Sequence, residues 1–333
     1  MQVTTMADSN VPQASCKDRV AVTAVALGTK GAYLILTMHC LVGTGCGFDD
    51  ERIYPDGKGP DLAAVEAKSD LGVEGGPDST GCGPCSEGMH CSHGVCIPLG
   101  MVGVPAGRFV MGCQEDECPQ ADSRASSSSW IPKQESELPF YAIDAREATI
   151  AGHKQCMNAG FCEMPYMPCM VASMHCAAYY FDALGQEYPA LGLKYTEAVS
   201  YCEMRGKRLC TDAEWEKAAR GTDGRRYPWG DAPEPDCEWA IMADLGADGC
   251  WGPYETGRIL WAASPYGMLD ALGNVAEWVS SPVVDNGPAE FRVVRGGSYG
   301  TKAESLSVST RAWRHAAVQE LDVGVRCCWS PGN

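Results

Sequence analysis

The stretch 264–281, SPYGMLDALGNVAEWVSS, constrains this chain more than any other. It sets Gly267, Gly273, Asn274 and Trp278 around two carboxylates, Asp270 and Glu277. Glycine adopts backbone conformations that side chains resist, and it leaves carbonyl oxygens approachable. Two carboxylates among bare carbonyls make an oxygen-only cage, the donor set of a hard cation such as Ca2+. The spacing is not that of an EF-hand loop. The same residues also describe a tight glycine turn buried beneath Trp278.

Four further blocks accompany this stretch in a fixed order. They are VPAGRFVMGC (104–113), LPFYAIDAREAT (138–149), YTEAVSYCEMRGKRLCTDAEWEKAARG (195–221) with RRYPWGD (225–231), and VVRGGSY (293–299) followed by DVGVRC (322–327). Together the five resemble the formylglycine-generating enzyme (sulfatase-modifying factor) family, whose signature GLYDMxGNVWEW matches the glycine stretch. The resemblance covers about residues 99–333. It implies an α+β domain, a loop-rich and disulfide-stapled variant of the C-type lectin fold, with at least one structural Ca2+. The implied ligands are the side chains of Asp270 and Glu277 and the backbone carbonyls of Gly273 and Val275. The family's second calcium loop carries an Asn after an Ala. Here Ala240 is followed by Ile241, so that second site is expected to be lost.

The resemblance also implies that Cys202, in SYC, pairs with Cys327, in VRC. Cys328 is extra, and Cys210 stands where the family usually has proline. These two are expected to pair with each other, each bond contributing about 2–4 kcal/mol.

Enzymes of this family oxidise a cysteine of a sulfatase to formylglycine with copper and O2. Two cysteines just beyond RGGS hold the copper, and soft thiolates suit Cu(I). In this chain RGGS is Arg295 to Ser298, and the two copper positions fall on Thr301 and Leu306. Neither side chain replaces a thiolate, and no cysteine lies between Cys250 and Cys327. Copper is therefore not expected, and no catalytic residue is assigned. A related branch, the sulfoxide synthases of ergothioneine synthesis, uses iron held by histidines of an added helical domain. Only His315 follows residue 175 here. Ser298, Arg311 and Arg314 remain of the family's pocket, and such groups bind a carboxylate or peptide backbone without reacting. The resulting expectation is a non-catalytic module for an extended peptide or protein ligand. The alternative is an oxidoreductase of the same family using other metal ligands.

The formal net charge of −17 argues against nucleic acid, which needs a Lys/Arg-rich surface. Nineteen cysteines require either several metal sites or an oxidising compartment. The N-terminus favours export. Lys17, Arg19 and Lys30 precede an apolar run, 32–42, too short to span a bilayer. The run ends at GTGC, which resembles a lipoprotein signal with Cys46 as the lipidated residue, although Gly43 stands where leucine is usual. A buried strand is the other reading of the run. Residues 1–46 are thus expected to be a signal segment that brings the protein to the cell envelope on a lipid anchor. Sixteen cysteines would then remain, an even number.

Residues 47–80 are acidic, rich in Gly, Pro and Asp, and read as a disordered tether. Residues 81–98 hold Cys82, Cys85, Cys91 and Cys96. A two-disulfide knot is the structural reading, since so short a segment cannot bury a core. Cys82-Gly83-Pro84-Cys85 also matches the thioredoxin tetrapeptide, and zinc could be held with His90 or His93. Beyond it, Cys113 and Cys118 flank an acidic loop. Cys156, Cys162, Cys169 and Cys176 are expected to form two local disulfides, and Cys237 with Cys250 a third. Thr196 is a candidate cap for a helix ending at Gly206. Thr211 with Glu214 forms a capping box for the next, which exits at Gly221. Arg208, Glu214 and Glu216 read as structural ion pairs.

Overall fold

The computed structural model describes residues 21–27, 32–41, 45–54, 81–113, 131–165, 185–243, 250, 252–282 and 290–332. The chain divides into two units, Met1–Gly72 and Val73–Asn333. In the first, strands β1 (Ala21–Leu27), β2 (Ala32–Leu41) and β3 (Gly45–Tyr54) form an antiparallel sheet in that order. The backbone of the apolar run is thus a strand, and Cys46 lies opposite Cys40 in the register. Residues 47–54, expected at the start of an unstructured tether, belong to β3.

The second unit is built on two four-stranded sheets. One has the order β10 (Arg208–Leu209), β15 (Cys327–Trp329), β9 (Tyr141–Asp144), β6 (Met101–Val104), all antiparallel. The other has the order β13 (Arg311–His315), β12 (Phe291–Arg295), β11 (Ala276–Pro282), β14 (Val323–Val325). Its first three strands are antiparallel, and β14 runs parallel to β11. Two hairpins complete the strands: β4 (Met89–Ser92) with β5 (Val95–Pro98), and β7 (Gly107–Met111) with β8 (Gln134–Leu138). The hairpin β4–β5 is not separate from the domain that follows it. Its Ile97 is buried against Met101 and Ala142, so the boundary expected at residue 99 is packed across.

Among the described residues, three α-helices pack against this frame. Helix α1 (Ile150–Asn158) is capped by Thr149, whose Oγ1 accepts from Gly152 N at 3.1 Å. Helix α2 (Tyr195–Met204) starts one residue before Thr196. Its N-cap is Lys194, whose backbone N–H donates to Glu197 at 2.8 Å, so the acidic side chain satisfies the orphan donor. Helix α3 (Asp212–Arg220) has the reciprocal cap read from sequence: Thr211 N donates to Glu214 and Glu214 N to Thr211 Oγ1. Arg208 closes on the same Glu214 with two bonds of 2.7 and 2.8 Å.

The expected disulfides Cys202–Cys327, Cys210–Cys328 and Cys237–Cys250 are all present. The adjacent cysteines of β15 thereby reach α2 with one sulfur and the start of α3 with the other. Cys156 pairs with Cys162, while Cys169 and Cys176 lie outside the described residues. Cys113 is disulfide-bonded, and Cys118 also lies outside them. In the small module Cys82 pairs with Cys91 and Cys85 with Cys96. The thioredoxin reading of CGPC is thereby corrected, because its two cysteines are not bonded to each other.

Candidate functional site

The glycine stretch is a knot of left-handed backbone. Asp270, Gly273 and Asn274 have φ of 51°, 80° and 53°. At Gly273 a side chain is impossible for a second reason: a Cβ there would lie 2.2 Å from the Ile241 carbonyl oxygen. That close approach is used, since Ile241 forms a β-bridge with Gly273 and its carbonyl accepts from Asn274 N at 2.8 Å.

Asn274 is locked from every side. Its Nδ2 donates to Glu147 at 2.7 Å and to the Tyr254 carbonyl at 3.2 Å, and its Oδ1 accepts from Tyr254 N at 2.9 Å. Glu147 also accepts from Val275 N at 3.2 Å. Glu147 lies in the block LPFYAIDAREAT, and sequence reading gave it no role. The available signal was an acidic residue in a block whose other core positions are apolar.

Three carboxylates therefore surround the knot: Glu147, Asp270 and Glu277, all buried. Asp270 accepts from Gly257 N through Oδ2. Glu277 is the partner of Arg326 rather than an open cation ligand. Its Oε1 accepts from Arg326 Nε at 3.0 Å and Nη2 at 2.8 Å. Its Oε2 accepts from Arg326 Nε at 3.0 Å and Trp215 Nε1 at 2.6 Å. One guanidinium and one indole thus fill the valences that a calcium ion would use. Burial, with Asp270 and Glu277 nearby, holds the Glu147 carboxyl well above the usual range. Burial likewise pushes Asp270 up to about 6, against its bond from Gly257 and the charge of Arg326. Among the described residues these carboxylates do not converge as three side-chain donors on one point. The group of His, Cys, Asp or Glu side chains close enough for that is Cys82, Cys85 and Cys96.

At Thr301 and Leu306, where the resemblance places the copper ligands, the chain is packed, not open. Thr301 is 1% exposed and Leu306 0%. Both press on Gly297, where a Cβ would lie 2.6 Å from Leu306 Cδ2 and 3.2 Å from Thr301 Cγ2. Hydroxyls hold the loop that follows: Ser307 N donates to Thr310 Oγ1 at 2.8 Å, and Thr310 Oγ1 donates to the Ser305 carbonyl at 2.6 Å. Every cysteine whose side chain is described is disulfide-bonded. No free thiolate is present among the described residues.

The groove expected from Ser298, Arg311 and Arg314 is not formed by these side chains, which are 1%, 4% and 2% exposed. Ser298 Oγ donates to Asp322 at 2.9 Å, Arg311 Nε to Asp212 at 2.7 Å, and Arg314 Nε pairs with Glu320 at 2.7 Å. Arg311 joins a buried charge network in which Arg295 bridges Asp212 and Glu216, and Glu216 also holds Arg220 at 3.0 Å. The reason is charge pairing. A buried arginine must meet a carboxylate: Arg311 meets the buried Asp212 and Arg314 the half-buried Glu320.

The accessible feature is aromatic. Tyr227 stacks on Trp229 with centroids 5.2 Å apart, and Trp229 meets Trp239 at 5.4 Å. Trp229 and Trp239 pack with Leu272 and Asp270 around a small gap. Trp229, Trp239 and Trp261 are half-buried, and Asp231, Glu234, Asp236 and Glu238, which lie between Trp229 and Trp239 in sequence, are exposed. The indole nitrogens of Trp229 and Trp261 are spent on the carbonyls of Pro233 and Glu238, at 3.0 and 2.9 Å.

Residues 97–331 match the family model described as the sulfatase-modifying factor enzyme 1-like domain. Hercynine oxygenase of Mycolicibacterium thermoresistibile is 35% identical over 42% of this chain and 36% of that protein. The inactive C-alpha-formylglycine-generating enzyme 2 of Bos taurus is 32% identical over 44% of this chain and 52% of that protein. The chain thus spans about a third to a half of the length of these curated relatives. The structure of PvdO from Pseudomonas aeruginosa superposes with a TM-score of 0.55 at 20% identity, covering 69% of this chain and 94% of that one.

Proposed function

The chain belongs to the sulfatase-modifying factor (formylglycine-generating enzyme) family, with that family's variant of the C-type lectin fold, and from this premise we propose that it is a non-catalytic binding module. One observation carries the reading: Thr301 and Leu306 are buried against Gly297 at the positions of the family's copper thiolates. A hydroxyl and an alkyl group cannot hold Cu(I) or pass electrons to O2. The inactive bovine relative supports the idea that this fold persists without its chemistry.

The proposed ligand is an extended peptide or protein, and the surface for it is the aromatic face of Trp229, Trp239 and Trp261. These rings offer large rigid area at little entropic cost, which favours them in recognition surfaces. The buried Ser298, Arg311 and Arg314 take no part in contact. Export and a lipid anchor at Cys46 are part of the proposal, supported by the disulfide-rich domain and the apolar run before GTGC. A structural calcium ion is proposed against Asp270 and the carbonyls of Gly273 and Val275. Carboxylate and carbonyl oxygens are the donor types of a hard cation, and Asp270 is a carboxylate that burial holds above its ordinary range despite Arg326 and Arg146 nearby. Glu277 enters only as counter-charge, already shared with Arg326.

The second reading, an oxidoreductase with other metal ligands, is favoured by the resemblance to hercynine oxygenase. A thiol count with disulfide mapping on chain produced in an oxidising compartment separates the two. Full pairing of the domain's cysteines supports the module. A reduced pair that binds Cu(I) returns the enzyme and names its site.

A further inference from the structure

We propose that Cys82, Cys85, Cys91 and Cys96 form a redox-gated site for one soft d10 ion, such as Zn2+ or Cu+, occupied when their two disulfides are reduced. This proposal does not rest on the binding-module reading. Cys91 and Cys96 face each other in the register of β4 and β5. Directly opposed residues of an antiparallel pair project from one face, with Cβ atoms about 5 Å apart. Cys82 is bonded to Cys91 and Cys85 to Cys96, so the C-x-x-C loop lies over that face.

All four sulfurs are thereby gathered. Those of Cys82, Cys85 and Cys96 lie within 4.8 Å of one another, and Cys91 is bonded to the first. A tetrahedral thiolate site with metal–sulfur bonds of about 2.3 Å needs sulfurs about 3.8 Å apart. The reduced cluster therefore closes on an ion by small side-chain rotations. The four cysteines fall as C-x2-C followed by C-x4-C, two pairs each close in sequence as zinc ligands often are. Neither His90 nor His93 belongs to the group.

Access decides which disulfides open. Cys82, Cys85, Cys91 and Cys96 are half-buried, whereas Cys202, Cys210, Cys327 and Cys328 are 0% exposed. A reductant reaches the module before those two core bonds, whereas Cys156–Cys162 and Cys237–Cys250 each offer one half-buried sulfur as well. Each disulfide takes two electrons and two protons from a dithiol reductant, which closes to its own disulfide. Four thiols result, and the ion binds as they release their protons. In an oxidising compartment the same sulfurs are cross-links, and in a reducing one they are ligands.

The test uses the full chain. A phosphine opens the accessible disulfides under native conditions, each reaction turning phosphine and water into phosphine oxide and two thiols. Cd2+ is then titrated without oxygen, and thiolate-to-metal charge-transfer absorption is followed, with Zn2+ as competitor. The expected result is one Cd2+ per reduced chain, none in the oxidised chain, and loss of stoichiometric binding in Cys85→Ser/Cys96→Ser. Circular dichroism of that variant in its oxidised state checks that the domain still folds. Absence of the band, an unchanged band in the variant, or mass mapping that finds the core disulfides open first would each overturn the proposal.

Discussion

Arg326 grips Glu277 in the centre of the domain with three hydrogen bonds of 2.8–3.0 Å, and both side chains are almost fully buried. Arg326 also donates to the carbonyls of Asp144 and Leu269, at 2.9 and 2.8 Å. One side chain thus ties β11, β9 and the glycine stretch together. Removing one partner of such a pair leaves an uncompensated buried charge, at a cost of about 3–5 kcal/mol. Glu277→Gln is expected to lose that much in urea unfolding, and Glu277→Leu/Arg326→Met to recover most of it. A loss below about 1 kcal/mol in Glu277→Gln would show that the pair is not the centre of the core.

The proposed calcium site makes a pH-dependent prediction through Asp270. Its folded carboxyl titrates at about 6, above the unfolded value of 3.8, so its burial is tolerated best below pH 3.8 and becomes a cost as pH rises through 6. A bound cation relieves that cost only where Asp270 is ionised. Calcium is therefore expected to raise the melting temperature at pH 7.5 more than at pH 5, and not to raise it in Asp270→Asn. An equal calcium effect in wild type and variant would remove Asp270 from the site.

His153 sits in α1 with no exposed surface, and burial lowers it to about 4 from 6.5. The neutral ring is the folded form, so its contribution is complete above pH 6.5 and is lost as pH falls towards 4. The loss is about 3 kcal/mol over that window, at about 1.4 kcal/mol per unit. His153→Leu should flatten this part of the stability–pH curve measured by urea unfolding. An unchanged acid slope would assign the effect to other groups.

The fold was more legible than the site. The capping box at Thr211, the alternation in β7 and the glycine exit at Gly221 are local signals, and the structure follows them. Cys202–Cys327 followed from resemblance, not from spacing. Ser298, Arg311 and Arg314 misled for a physical reason: a polar or charged residue looks the same in sequence whether it faces solvent or a carboxylate of the fold. Asp212 is 99 residues from Arg311 and Asp322 is 24 from Ser298, so no local pattern announces them, while Glu320 lies close to Arg314 in sequence but just past its strand. The role of Glu147 is hidden likewise, since Asn274 reaches it across 127 residues.

Cys202–Cys327 and Cys210–Cys328 close nearly the same long loop, spanning 125 and 118 residues. With one in place, the other closes only a ring of about ten residues. On loop entropy, losing either bond costs about 2–3 kcal/mol, and losing both costs about 7 kcal/mol. Serine variants of each pair and of both pairs, compared by urea unfolding, should therefore be more than additive, up to loss of the folded state. Simple additivity would mean that the two bonds act independently.

The most direct measurement is copper-dependent turnover by the oxidised, full-length chain. Cu(I) would be titrated into the protein, and a sulfatase-type cysteine peptide then incubated with it in air, with mass spectrometry reading conversion of cysteine to aldehyde. With Thr301 and Leu306 buried where the thiolates would stand, the expected result is no stoichiometric Cu(I) and an unmodified peptide. One Cu(I) per chain together with aldehyde formation would contradict the account and place an active site on ligands other than these two positions.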